Sequence, residues 1–285
     1  MTSHDVVAAI RKLVRPLRVG HTGTLDPLAT GLLILCVGRA TKVAQFIEAR
    51  FKTYRATMLL GVRTDTQDIT GEILTQYRVE EISEERIREV AHSFLGVVEQ
   101  KPPMFSAVKV GGVRAYKLAR NQKSVSIAPR KVEIRRLEIE QIELPRVEFL
   151  LECSKGTYVR VLCQDLGEAL GVGGCMESLR RIAIGDVDIT MARPLSELNT
   201  SEVVWKAMLP VTEALSHMPA FVCTEEQLTK LVHGTPFPVR LSAAAGPCYE
   251  GWAQAHGHHG ELLAVGVVSQ DGDVTMFHPK RVLEE

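Results

Sequence analysis

The chain has 285 residues, 45% of them hydrophobic and 24% charged, and its 34 Lys and Arg balance 34 Asp and Glu. Those proportions suit a soluble globular protein with one large domain, or a large one and a small one. No apolar run approaches the roughly 20 residues of a membrane span, and the N-terminus lacks a signal-peptide layout, so a cytoplasmic protein is expected.

Zero net charge hides strong local bias. Residues 1–60 carry +6 and residues 101–136 carry +9, against −5, −6 and −4 for residues 61–100, 137–215 and 216–285. Clustered charge, not the total, decides whether a surface attracts polyanions. The 101–136 block is the better candidate, because its cations, Lys109 and Arg114 among them, are interleaved with Gly111, Gly112 and Tyr116. The six cysteines (36, 153, 163, 175, 223, 248) show no C-x-x-C, so they read as reduced core thiols.

In chain order, "SHDVVAAIRKLV" places Val6, Val7, Ile10, Leu13 and Val14 on one helical face, with Ser3 as the expected cap. "GLLILCVG" reads as a buried strand, "TKVAQFIEA" as a brief helix and "KTYRATMLLGV" as a strand carrying Tyr54. "SEERIREVAHSFLG" is an amphipathic helix started by Ser83 and stopped by Gly96. "KPPMFSAVKVGGVRAYKLAR" opens on a stiff Pro-Pro pair and continues into a strand with a Gly-Gly hairpin turn. "KVEIRRLEIEQIEL" and "RVEFLLEC" alternate as half-buried antiparallel strands, and "GTYVRVLCQDLGEALG" returns to helical spacing.

Interspersed helices and hairpins without a βαβ rhythm predict an α+β fold, with a mixed, largely antiparallel sheet and flanking helices. After Leu215 the texture changes to short strands and turns, including a hairpin at Gln270–Asp273. The expected division is a large domain over residues 1–214, with an insertion near 101–136, and a small β domain over 215–285.

Several chemistries lack their signatures. "GRATK" is not a P-loop, no G-x-G-x-x-G opens a helix after a strand, and no G-x-S-x-G elbow occurs. "HGHHGE" (256–261) gathers three histidines in a Gly-bracketed loop, which is more often surface than a metal site. No cofactor and no metal are expected.

What remains is polar: His21, Asp26, Tyr54, Tyr158, Arg160 and "LRR" at 179–181. Each has an ordinary reading, Tyr54 as a half-buried strand aromatic, Arg160 as a surface charge and His21 as a turn residue. Asp26 is the one ionised residue in "GHTGTLDPLATGLL". Asp-Pro there starts a helix equally well as it presents a catalytic carboxylate, and the segment alone leaves both open.

"GHTGTLDPLATGLL" resembles the signature of the TruB family of pseudouridine synthases, in which the aspartate is catalytic. "KTYRATMLLGVRTDTQDITGEI", "KPPMFSAVKVGGVRAYKLAR", "CSKGTYVRVLCQDLG" and "LRR" match in order, over about residues 1–195. The resemblance implies the pseudouridine synthase fold and isomerisation of uridine in the T loop of tRNA (position 55). It gives Asp26 as the essential carboxylate, Arg160 as its partner and Tyr54 as the residue stacked on the base. Tyr158 and Leu179 would line the uracil pocket, and His21 would lie beside the flipped nucleotide. Lys109 and Arg114 would meet RNA phosphates, and the tail resembles a PUA-like domain through "GELLAVG" and "HPKRVL". A monomer that needs no protein partner is expected, with tRNA as its partner and no membrane.

Family members usually begin with a strand and a K-P-x-G segment just before "MTSHDVV". Either the reading frame is opened late here, or the protein lacks that lysine–proline contact. The competing readings are a non-catalytic RNA-binding or RNA-folding protein, a nucleoside glycosidase, and a synthase acting on another RNA.

Overall fold

The computed structural model describes residues 1–106, 108–115, 127–241 and 249–283. They form two compact units, one of Met1–Thr24, Leu33–Glu48 and Ala192–Glu285, the other of Leu25–Leu32 and Ala49–Met191.

The second unit is built on a seven-stranded sheet. In spatial order its strands are Val187–Asp188, Gly174–Ile184, Lys52–Leu60, Arg146–Cys153, Arg130–Glu143 and Gly96–Gln100, all antiparallel neighbours. A two-residue strand, Thr30–Gly31, adds a parallel pairing to Arg180 and Arg181. The expected α+β fold with a mixed, largely antiparallel sheet is the one observed.

Period-two alternation sets the faces. Tyr54, Ala56, Met58 and Leu60 are buried, while Arg55 between them is exposed. Helices Glu84–Ser93 and Val159–Ala169 cover the buried face, packing Ile87, Val90, Leu162 and Leu166 with Met58, Phe149, Leu151 and Met176. Ser83 caps the first helix, its hydroxyl accepting from Arg86 N–H at 3.2 Å. Val110 and Val113 pair across the Gly111–Gly112 turn, both glycines at positive φ, as the sequence requires.

Two local expectations change. Thr2, not Ser3, caps the helix Ser3–Leu13, in a reciprocal capping box with Asp5, and Ser3 is buried inside the first turn. Gly174–Ile184, seen in the sequence only as "LRR", is a central strand. Its charged residues Glu177, Arg180 and Arg181 obscured the alternation.

In the first unit Val19–His21 pairs antiparallel with Leu35–Val37. A five-stranded sheet runs in the order Ala220–Val222, Gly251–His256, Leu262–Asp271, Val274–Val282 and Phe237–Pro238, with the expected hairpin closed by Gly272. Phe221, Phe237 and Phe277 cluster in its core, with centroids 4.9 to 6.2 Å apart. Helix Glu225–Val232 was not expected in this strand-rich tail, although Thr224 and Gln227 form a capping box at its start. Cys36, Cys153, Cys163, Cys175 and Cys223 are buried and in no disulfide among the described residues, as core thiols should be, and Cys248 lies outside the described residues.

Candidate active site

Asp26 lies in a turn that Ala29 N–H closes on the Asp26 carbonyl at 2.9 Å, and no helix follows it. The capping role therefore falls away. The loop is anchored instead. Leu25, Leu28 and Ala29 pack on the core, and Leu32 N–H donates to Arg181 O at 2.8 Å. Arg181 Nε returns a bond to Leu32 O at 2.8 Å. Gly31, at φ +98°, runs so close to the Arg181 backbone that a Cβ would collide with its carbonyl. That glycine is needed by the protein's own packing, not by room for a ligand.

Arg160 is buried, with 5% of its side chain exposed, which removes the surface-charge reading. Its Nε stands 3.5 Å from Asp26 Oδ2 and its Nη1 4.0 Å from Asp68 Oδ2. Nη2 donates to Phe105 O at 2.6 Å and Nη1 to Thr66 O at 3.5 Å, while Nε makes no hydrogen bond among the described residues. Backbone carbonyls thus fix the guanidinium, and Asp26 meets it loosely.

Burial pushes the Asp26 carboxyl above the usual carboxylate range; Arg160 opposes this, and Asp68 adds to it. Arg160 thus offsets the burial only in part. Tyr54 is buried too, and its phenol is pushed up to about 12, first by burial and then by Cys153, with Arg181 opposing and Asp26 adding a little. The hydroxyl stays protonated at any physiological pH.

Tyr158 precedes the helix Val159–Ala169, with its ring centroid 5.9 Å from the Arg160 guanidinium carbon. Leu179 is buried in the same core cluster as Tyr54. The second unit therefore holds Asp26, Tyr54, Tyr158, Arg160 and Leu179. His21 belongs to the first unit, where its Nδ1 accepts from Gly23 N–H at 3.2 Å. Lys109 and Arg114 pair across the hairpin, but their side chains are outside the described residues, as are residues 107 and 116–126 of the basic block.

Two residues escaped the sequence reading. Asp68 is buried, and its Oδ1 accepts from Thr66 Oγ1 at 2.9 Å, Thr70 N at 3.0 Å and Thr70 Oγ1 at 2.5 Å. The flanking threonines in "TQDIT" were the available signal. Arg181 is 1% exposed and touches the Tyr54 hydroxyl, and nothing in "LRR" separates it from the exposed Arg180. Among the described residues no group of three His, Cys, Asp or Glu could hold a metal; His256 bonds Gln254 at 3.1 Å.

The architecture is shared with Cbf5. Its chain in a Cbf5–Nop10–Gar1 complex superposes with a TM-score of 0.75 at 25% identity, covering all of this chain and 82% of that one. In an archaeal box H/ACA sRNP Nop10–Cbf5 complex the TM-score is 0.73 at 24% identity, over 83% of that chain. The sequence narrows the class further. Residues 11–159 match the model of the TruB family pseudouridylate synthase N-terminal domain, and residues 160–219 match that of the tRNA pseudouridylate synthase B C-terminal domain. A tRNA pseudouridine synthase B of Alkaliphilus oremlandii is 44% identical over 82% of this chain and 78% of its own. One from Clostridium acetobutylicum is 38% identical over 95% and 93%. The chain belongs to the TruB family of pseudouridylate synthases.

Proposed function

We propose that the protein converts uridine to pseudouridine at position 55, in the T loop of tRNA. The observation that carries this reading is the Asp26 carboxylate set against buried Arg160, inside the sequence pattern of this family. In the reaction the N1–C1′ bond breaks, the uracil turns, C5–C1′ forms, the C5 proton leaves and N1 gains one. No electron or phosphoryl group moves, so a carboxylate and a proton donor are the groups required.

Asp26 acts as the essential carboxylate in its ionised form. Arg160 favours that form and holds its orientation. The target base must leave its stack, at a cost of a few kcal/mol, and stacking on an aromatic side chain returns roughly 1–3 kcal/mol. Tyr54 stacks on it, with a hydroxyl that donates because it remains protonated. Tyr158 and Leu179 line the pocket, and His21 lies beside the flipped nucleotide. Lys109, Arg114 and the rest of the 101–136 block neutralise phosphates, so affinity falls steeply with salt. Residues 1–214 carry catalysis and residues 215–285 form a PUA-like RNA-binding domain. The protein works in the cytoplasm as a monomer without a partner protein.

Mapping pseudouridine in tRNA treated with the protein is the test. Modification at position 55, lost in Asp26→Asn by roughly a thousandfold or more in rate, is the expected result. Modification only elsewhere overturns the substrate, survival in Asp26→Asn overturns the mechanism, and release of free uracil would mark a glycosidase.

A further inference from the structure

Gln100 ends the strand Gly96–Gln100, immediately before the Lys101-Pro102-Pro103 segment that opens the basic block. Only 4% of it is exposed. Its amide nitrogen donates to Tyr158 O at 3.1 Å, and its amide oxygen accepts from Tyr158 N–H at 2.7 Å. One side chain thus grips both backbone polar groups of Tyr158, as a neighbouring strand would.

The grip falls where the helix has no side-chain cap of its own. Tyr158 is the N-cap of Val159–Ala169, and its own side chain makes no capping bond. Arg160 comes two residues later. The same segment then touches Arg160 directly, since Phe105 O, five residues beyond Gln100, accepts from its Nη2 at 2.6 Å. Residues 100–105 therefore hold the start of this helix twice, by a side chain on Tyr158 and by a carbonyl on Arg160.

We propose that Gln100 is a positioning residue for the isomerisation, setting through the Tyr158 backbone where the Arg160 guanidinium stands relative to Asp26. The inference rests on the reading of Asp26 and Arg160 given above. At 3.5 Å the Arg160–Asp26 contact is already longer than a charge-assisted hydrogen bond, so any further displacement of the guanidinium weakens it directly. A misplacement of about 1 Å in a catalytic group can cost on the order of a hundredfold in rate. Gln100 also ties the root of the basic block to the helix start, so both sit on one hydrogen-bonded unit.

The test uses Gln100→Leu, which keeps the bulk and removes both bonds, and Gln100→Glu, which keeps the acceptor for Tyr158 N–H if the first variant does not fold. Two readouts are taken at a temperature where circular dichroism shows the variant folded. The first is the titration of the Asp26 carboxyl by 13C NMR, without RNA. The charged or titratable groups facing Asp26 are Arg160, Asp68 and Tyr54, and only Arg160 is slackened. The Asp26 pKa should rise by roughly half a unit or more. The second is single-turnover pseudouridine formation at saturating tRNA, expected to fall roughly 10- to 100-fold with tRNA affinity within about threefold.

An unchanged Asp26 titration in a folded variant overturns the proposal, as does a rate loss explained entirely by weaker tRNA binding. A wild-type protein that makes no pseudouridine defeats the functional reading alone, because the titration still judges Gln100.

Discussion

The two faces of the seven-stranded sheet handle charge in opposite ways. On the exposed face, Arg55 grips Glu140 with a fork of 2.8 and 3.0 Å, and Arg146 holds Glu177 at 2.8 to 3.1 Å. Arg136 adds Glu138 at 2.6 Å. On the buried face Arg160 meets Asp26 at 3.5 Å and Asp68 at 4.0 Å, with its Nε–H bonding nothing among the described residues. The better geometry belongs to the pairs that matter less. Water screens the outer pairs and competes for both partners, so each contributes little to stability. Inside, desolvation raises what each charge costs and what each contact controls. On the proposed mechanism, a loose buried pair leaves the Asp26 carboxylate free to react, whereas a tight fork would occupy it.

The sharpest way to break this contrast is Arg160→Met. We expect pseudouridine formation to fall at least roughly a hundredfold, with tRNA affinity kept within about threefold, measured by single-turnover kinetics and filter binding. An equal loss of affinity would make Arg160 an RNA ligand and erase the contrast.

The pH–rate profile comes next. Asp26 must be ionised, and burial lifts its pKa above the usual carboxylate range. The rate should therefore fall on acidification already at a pH where an exposed aspartate, with a pKa near 3.9, would remain charged. An acid limb centred at or below that reference would remove burial as the dominant influence. Tyr54, pushed up to about 12, should contribute no basic limb below about pH 10.

Arg181→Met tests the buried face by removing an anchor of the loop that carries Asp26, while leaving both members of the Arg160–Asp26 pair in place. It strips Leu32 O of its Nε donor and should lower unfolding free energy by about 1–3 kcal/mol in denaturant titration. The smallest effect is expected outside. A double-mutant cycle on Arg55 and Glu140 should give a small coupling that shrinks further in high salt. A coupling of several kcal/mol there would reverse the ranking of the two faces.

How far the molecule was legible depends on what each signal was made of. Strands such as Lys52–Leu60 and Arg146–Cys153, and the helix Glu84–Ser93, announced themselves because one face is apolar and the other polar. Gly174–Ile184 did not, because Arg181 is buried among apolar neighbours and breaks the alternation. Helix Glu225–Val232 was hidden by the surrounding strands despite its capping box. In the site, Asp26, Tyr54 and Arg160 were marked by motif resemblance, while their bare chemistry pointed to a cap, a half-buried aromatic and a surface charge. Asp68 carried only a local threonine pattern, and Gln100 none.

The sequence by itself determined the class of fold and the family, since these follow from periodicity and from motifs read along the chain, and by resemblance alone it singled out Asp26. Only the tertiary structure decided that Asp26 starts no helix, that Arg160 is buried, and that Thr66, Asp68 and Phe105 surround it. Those facts depend on contacts between segments more than thirty residues apart in the chain, Asp26, Thr66–Asp68, Phe105 and Arg160. Desolvation and hydrogen-bond geometry arise only when such segments meet, and no local pattern of residues encodes them.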